Sequence, residues 1–228
     1  MKDILVITID GPSGAGKGAI THRLAEALGF NILDSGALYR LIGLSARKQN
    51  IAFDDEETLA KLARNMNIEF IATDDPEQPL RILLENQDVT LDIRSDQAGS
   101  DASHVAPMSL VRDAIKDLQR DFKQAPGLIA DGRDMGTVVF EDAPIKVYLT
   151  ASAEARAERR YKQLKDKDIS VSLHALFQSI QARDERDMNR KVAPLKPAQD
   201  AVVIDSTDIG IEEVFTQVLD LVKRHMMS

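Results

Sequence analysis

The sequence predicts an α/β fold, a parallel, doubly wound sheet of five strands flanked by helices. Three observations predict it. Short apolar runs recur at Ile4–Ile9, Asn31–Leu33, Leu128–Ala130, Ile145–Leu149 and Ala201–Ile204, as suits strands buried on both faces of a parallel sheet. Apolar residues at the 3.6-residue helical period lie between them. The first run leads directly into a glycine-rich loop and then a helix, and open α/β sheets take their ligands beyond the carboxyl ends of strands.

Length and composition set bounds. At about 150 residues per domain, 228 residues fit one core with an insertion. Lys and Arg total 29 against 37 Asp and Glu, a formal charge of −8. That argues against a broad grip on a nucleic acid polymer and leaves room for a local basic pocket. Apolar residues make up 43 %, too many for a disordered chain. There is no cysteine, so disulfides, thiolate zinc sites and cysteine nucleophiles drop out together, which suits a reducing cytosol. No segment approaches the roughly 18 apolar residues of a membrane span. The N-terminal apolar run is bracketed by Asp3 and Asp10 and is too short for a signal peptide. The expectation is a soluble, cytoplasmic, monomeric protein.

The elements follow in order. The first helix carries Ile20, Leu24, Ala27 and Leu28 on its apolar face. The second strand runs into Asp34-Ser35-Gly36-Ala37-Leu38-Tyr39-Arg40, a helix start with Asp34 or Ser35 as N-cap. From about 66 to 106 the rhythm breaks. Ile68–Ala72, Leu80–Leu84 and Val89–Leu91 read as short strands separated by TDDPEQP and ENQD, which are turn compositions. This segment is expected to be a small antiparallel insertion, leaving 1–65 and 107–228 as the core. Val111, Ile115, Leu118 and Phe122 mark the next helix. The stretch 151–170 is charged and poor in large apolar residues, so a mobile surface helix pair or lid is expected there. Ile211, Val214, Phe215, Val218, Leu221 and Val222 mark the last helix, and Met226, Met227 and Ser228 a frayed end.

The most specific motif is Gly11-Pro12-Ser13-Gly14-Ala15-Gly16-Lys17-Gly18, between first strand and first helix. Glycines let the backbone curl so that successive N–H groups point at one anion. The following helix adds its N-terminal dipole, and Lys17 adds a point charge for β- and γ-phosphates. A glycine-rich turn without a ligand is the bland alternative, and strand, spacing and lysine together weigh against it.

A later strand delivers Asp131, Arg133 and Asp134 to the same crevice, within Leu128-Ile129-Ala130-Asp131-Gly132-Arg133-Asp134-Met135-Gly136. Asp131 stands where a carboxylate would help hold hydrated magnesium, and a turn with aspartate N-caps is the alternative. Farther on, Leu176, Ile180, Arg183, Asp187 and Arg190 step by four, three, four and three residues and share one helix face. An apolar stripe thus continues as Arg–Asp–Arg. Charges on a packed face are costly unless paired or bound to an anion, and a surface salt-bridge ladder is the other reading. His22, His104, His174 and His225 are scattered and carry no ligand spacing.

Taken in order, GPSGAGKG, DSGALYR, LIADGRDMGTVVF and RDERDMNR followed by APL resemble the bacterial cytidylate kinases. The resemblance covers essentially the whole chain. It implies a P-loop kinase that phosphorylates CMP and dCMP with ATP and magnesium in pyrimidine nucleotide metabolism. It implies that Gly11–Ala19 and Arg156 bind ATP, with magnesium held by phosphates and water near Asp131 rather than in a protein cage. Arg40 and Arg133 would hold the acceptor phosphate and Asp134 would read cytosine, whose exocyclic amino group donates to a carboxylate. Arg183 and Asp187 would take the ribose, and Arg190, Ser103 and Arg112 the base side. Ser35 belongs to the same acceptor turn, and Tyr39 packs on either the acceptor or the core. Arg156, Arg159 and Arg160 would form the donor lid, although such a cluster is usually solvated, and Ser103 and Arg112 alone would read as surface residues. One position departs from the pattern. Nucleoside monophosphate kinases commonly read Gly-Lys-Gly-Thr, and here Gly18 is followed by Ala19. The missing hydroxyl removes a hydrogen bond to phosphate, about 1.5–3 kcal/mol.

Three other readings remain open. A small P-loop kinase for a different monophosphate or an alcohol shares the first loop, but two acceptor arginines favour a phosphorylated acceptor. A GTP-dependent switch needs Asn-Lys-x-Asp, which the sequence lacks. An inactive nucleotide-binding protein is motivated by Ala19 alone, against the retained Lys17, Arg40, Arg133 and Arg183.

Overall fold

The structure is a computed structural model and describes residues 4–73, 80–166 and 168–227. The chain divides into two compact units, 1–33 with 122–228, and 34–121. The second is wider than the segment 66–106 that composition marks off.

The first unit is built on a sheet of five strands. These are β1 (Leu5–Asp10), β2 (Asn31–Asp34), β6 (Gly127–Gly132), β7 (Ile145–Thr150) and β8 (Val202–Asp205), in the order β2-β6-β1-β7-β8. β1 pairs in parallel with β6 and β7, and β7 with β8. Each strand falls within a residue or two of its apolar run. In the register of β1 and β6, Ile9 lies opposite Asp131 and Asp10 opposite Gly132. The loops leaving β1 and β6 therefore emerge side by side.

The helices of this unit are α1 (Lys17–Leu28), α6 (Ala153–Lys165), α7 (Leu173–Asn189) and α8 (Ile211–Met227). α1 buries Ile20, Thr21, Leu24 and Ala25, whereas Ala27 is exposed. The buried face runs i, i+4 from 20 and from 21, and that puts Ala27 on the far edge. α8 inserts Val214, Val218 and Val222 against Ile7, Ile9, Ile129 and Val147. Each such fully buried side chain contributes about 1.5–3 kcal/mol. β8 corrects the expectation of strands buried on both faces, since Val202 and Val203 are 42 % and 55 % exposed at the sheet's edge. Among the described residues of the stretch 151–170 there is one helix, α6, rather than the pair that is one of the two expectations. α8 continues through Met226 and Met227, so the described part of the expected frayed end is helical; Ser228 lies outside the described residues.

The second unit contains α2 (Ser35–Lys48), α3 (Glu56–Asn65), α4 (Asp96–Val105) and α5 (Ser109–Asp121). Its strands are β3 (Ile68–Ala72), β4 (Leu80–Leu84) and β5 (Gln87–Asp88). The three strands form an antiparallel sheet in that order. The third strand, expected at Val89–Leu91, lies two residues earlier. Glu85 and Asn86 alone make the turn, at φ 51 and 63, which leaves Gln87 and Asp88 to pair with Leu84 and Leu83. Most of the TDDPEQP turn, residues 74–79, lies outside the described residues. The segment 66–106 holds the antiparallel sheet as expected and, after it, α4. Ala37, Leu41, Ile82, Leu84, Val89 and Ile93 form one core that fastens the small sheet to α2.

Among the described residues, no helix is long and apolar enough to cross a membrane.

Candidate active site

The phosphate loop is a main-chain construction. Gly11 has φ 150, and a Cβ there would lie 1.9 Å from the Leu149 carbonyl oxygen, so only glycine fits against β7. Gly16 sits at the N-cap of α1 with φ 98 and ψ 5, a left-handed geometry that glycine adopts without strain. Lys17, the first residue of α1, is 8 % exposed. Its ammonium donates to the Pro12 carbonyl at 3.1 Å and lies 3.8 Å from Asp131 Oδ1. Ala19 is exposed and supplies no hydroxyl.

The turn after β6 differs in kind. Asp134 occupies the N-cap of a short π-helical turn, Met135–Val139, but its side chain makes no capping bond. Asp10, at the end of β1, takes that role. Its Oδ1 accepts from Met135 N and its Oδ2 from Gly136 N, both at 2.8 Å. Asp10 is 4 % exposed. Burial pushes its carboxyl up to about 7, and nearby Asp134 adds to the rise. The two backbone donors and the Lys17 charge pull the other way.

The charged face predicted on α7 meets this region one residue at a time. Arg183 Nη1 donates to Ser13 Oγ at 3.2 Å. Asp187, 4 % exposed, accepts from Arg133 Nε. Arg190 Nη2 lies 3.9 Å from Asp134 Oδ1, and Arg190 Nε donates to the Ala193 carbonyl. These contacts cross between elements, so the stripe is not a surface ladder. Arg133 Nη2 is buried and has no hydrogen-bond partner among the described residues.

The three α6 arginines expected to form a lid, Arg156, Arg159 and Arg160, are not a solvated cluster. Arg156 is 4 % exposed. It forms a double hydrogen bond to the Asp184 carboxylate and donates to the Ser13 carbonyl at 3.0 Å. Arg159 donates to the Ser206 carbonyl and hydroxyl, and that hydroxyl also donates to Ala15 O at 3.2 Å. Arg160 is half-buried on the same helix. α6 is thus tied to the phosphate loop through Arg156 directly and through Arg159 by way of Ser206.

In the second unit Asp34 resolves the N-cap question by accepting from Ala37 N at 2.9 Å. Ser35 is left as a buried hydroxyl that accepts from Gln119 Nε2 at 2.9 Å. Tyr39 is buried, and its hydroxyl accepts from Arg112 Nη1 at 3.0 Å. Arg40 Nη1 donates to the Ile93 carbonyl at 2.7 Å. Ser103 and Arg112 are each 8 % exposed, which overturns the surface reading they would have alone. Arg112 and Gln119 stand seven residues apart on the buried side of α5, around Ile115.

Asp131 places a carboxylate oxygen 3.8 Å from the Lys17 ammonium. No three His, Asp or Glu side chains converge among the described residues. A single carboxylate fits magnesium carried largely by phosphate oxygens and water. Sequence reasoning missed Asp10, Gln119, Asp184 and Ser206. Each is polar and buried or half-buried, and each acts on a residue distant in sequence. A lone aspartate ending an apolar strand was the only signal for Asp10.

The family model described as cytidylate kinase matches residues 7–224. The chain is 55 % identical to a cytidylate kinase of Pseudomonas fluorescens over 214 residues, 94 % of this chain and 93 % of that one. It is 51 % identical to a Shewanella baltica cytidylate kinase over 221 residues, 97 % and 96 % of the two chains. Among solved structures, a shikimate kinase from Acinetobacter baumannii aligns over 99 % of this chain and 96 % of its own, with TM-score 0.46 and 15 % identity. A deoxyadenosine kinase from M. mycoides aligns over 96 % and 100 %, with TM-score 0.46 and 12 % identity.

Proposed function

The chain belongs to the cytidylate kinase family, and from that premise we propose that it transfers the γ-phosphoryl group of ATP to CMP and dCMP, giving ADP and CDP or dCDP. The observation that carries this reading is Arg133. Its Nε is engaged by Asp187 while Nη2 is buried without a partner. It stands just beyond β6, in register beside the strand that feeds the phosphate loop. A guanidinium held on one edge and open on another is suited to a phosphate.

In this reading the donor's β- and γ-phosphates lie on the backbone N–H groups of Gly11–Gly18, and Lys17 neutralises the charge that develops on transfer. Arg40 and Arg133 hold the acceptor's phosphate, which sets the in-line approach. Arg183 and Asp187 contact the ribose. Ser35, Tyr39, Ser103, Arg112 and Arg190 line the acceptor, and Asp134 accepts from the cytosine amino group. A uracil carbonyl would face that carboxylate as a second acceptor, and sites built on such a bond discriminate strongly. Arg156, Arg159 and Arg160 bring positive charge to the donor and exclude water when α6 closes as a lid, about 151–170. Magnesium, carried by the phosphates and by water near Asp131, would supply further charge neutralisation. The enzyme works as a monomer in the cytoplasm on free nucleotides, with no polymer or membrane partner.

An ADP-release assay over a panel of monophosphates tests this. CMP and dCMP should support release far above UMP, AMP and dTMP. Tight CMP binding without ADP release would leave an inactive nucleotide binder. Release with another monophosphate in preference would give the acceptor to a different base.

A further inference from the structure

The turn after β6 contains an apparent waste. Asp134 sits at an N-cap, where aspartate is among the preferred residues, and its carboxylate does not cap. The helical turn still needs acceptors for its first N–H groups, and Asp10 on the neighbouring strand supplies both. The fit is enforced by packing. A Cβ on Gly136 would lie 2.8 Å from Thr8 Oγ1, so the turn lies flush against β1.

We propose that Asp10 is a positioning residue for base selection: by capping the Met135–Val139 turn from the adjacent strand, it releases the Asp134 carboxylate to read the acceptor base. The proposal rests on the reading that Asp134 recognises cytosine. Two buried carboxylates stand within one electrostatic neighbourhood, and each has a separate task. Asp10 holds the backbone, and Asp134 is held toward Arg190. With Asn at position 10, one side-chain oxygen remains and an NH₂ group opposes a backbone N–H. The turn then lacks one acceptor, and Asp134 is the nearest candidate to fold back as its cap.

The test compares kcat/KM for CMP and UMP in the wild type, D10N, D134N and the double variant. Asp10→Asn should lower the CMP-to-UMP ratio by at least about tenfold while the KM for ATP stays within about twofold. The double variant should be no less selective than D134N, because Asp10 acts through Asp134. A D10N enzyme that keeps its preference while D134N loses it overturns the proposal alone. A D134N enzyme that keeps its preference overturns the reading of Asp134 and the proposal with it. A measurement independent of folding in D10N is amide exchange at Met135 and Gly136 in D134A, which leaves no side-chain oxygen at position 134 to cap the turn. Exchange within about twofold of wild type supports capping by Asp10, whereas exchange about tenfold faster assigns the cap to Asp134 and overturns the proposal.

Discussion

Two loops leave adjacent parallel strands of the same sheet, and they are built on opposite principles. The loop after β1 is shaped by its own backbone, needs glycines at Gly11 and Gly16 and carries one cation, Lys17; in the proposed reading it is the anion site. The turn after β6 gives its first N–H groups to Asp10, and in the proposed reading it works through the side chains of Arg133 and Asp134. Those side chains are aimed by Asp187 and Arg190, more than fifty residues away. A site made of main chain carries its geometry locally. A site made of buried charges depends on counter-charges from elsewhere, because an unpaired buried ion is costly.

That contrast gives its largest expected effect at Asp187. Replacing it with Ala strands the Arg133 guanidinium, and breaking a buried pair costs about 3–5 kcal/mol. Urea unfolding should show that loss, and CMP binding should weaken with it. A D187A protein as stable as the wild type would mean the pair is not what holds the turn.

Next comes Lys17. Its replacement by Ala should leave the loop's backbone folded and lower turnover about 10²–10³-fold, as for loss of one preorganised charge at a transition state. Unfolding at the wild-type urea midpoint, together with the kinetic loss, would sharpen the contrast with Asp187. A matching loss of stability would erase it.

A smaller effect concerns what the first loop lacks. Ala19→Thr restores a hydroxyl at an exposed position, and one bond to phosphate is worth about 1.5–3 kcal/mol. ATP should bind roughly tenfold tighter by calorimetry. Unchanged affinity would mean that the main chain already saturates the donor phosphates.

The smallest effect near neutrality is one of pH. The Asp10 carboxyl is pushed up to about 7 in the fold by burial. The folded state therefore holds a proton that the unfolded chain releases at a lower pH. The stabilisation from this group is complete below the unfolded value and fades as pH rises through about 7. Wild-type stability should fall relative to Asp10→Asn between about pH 4 and about pH 7 and level off above that. A constant gap between the two proteins across that range would show that Asp10 is already ionised.

The phosphate loop, the strand runs and the shared face of Leu176, Ile180, Arg183, Asp187 and Arg190 are legible in the sequence because each is set by local spacing. The i, i+4 arithmetic puts Asp187 on the packed side of α7, but it cannot name Arg133 as its partner. Val89–Leu91 reads as a strand because its apolar content outweighs the Glu85–Asn86 turn that fixes the register of β5. Arg112 and Ser103 read as surface residues because burial of a polar side chain depends on a partner, and Tyr39 stands 73 residues from Arg112.

The sequence by itself determined the parallel core, the anion loop and which helix carries charge inward, since periodicity and glycine spacing act over a few residues. Only the tertiary structure decided which acid meets which arginine and which aspartate caps the turn after β6. Asp10 and Asp134 are the same residue type, and nothing local distinguishes them. The side-by-side register of β1 and β6 does, by bringing the Asp10 carboxylate under Met135 and Gly136, so that it and not Asp134 caps the turn.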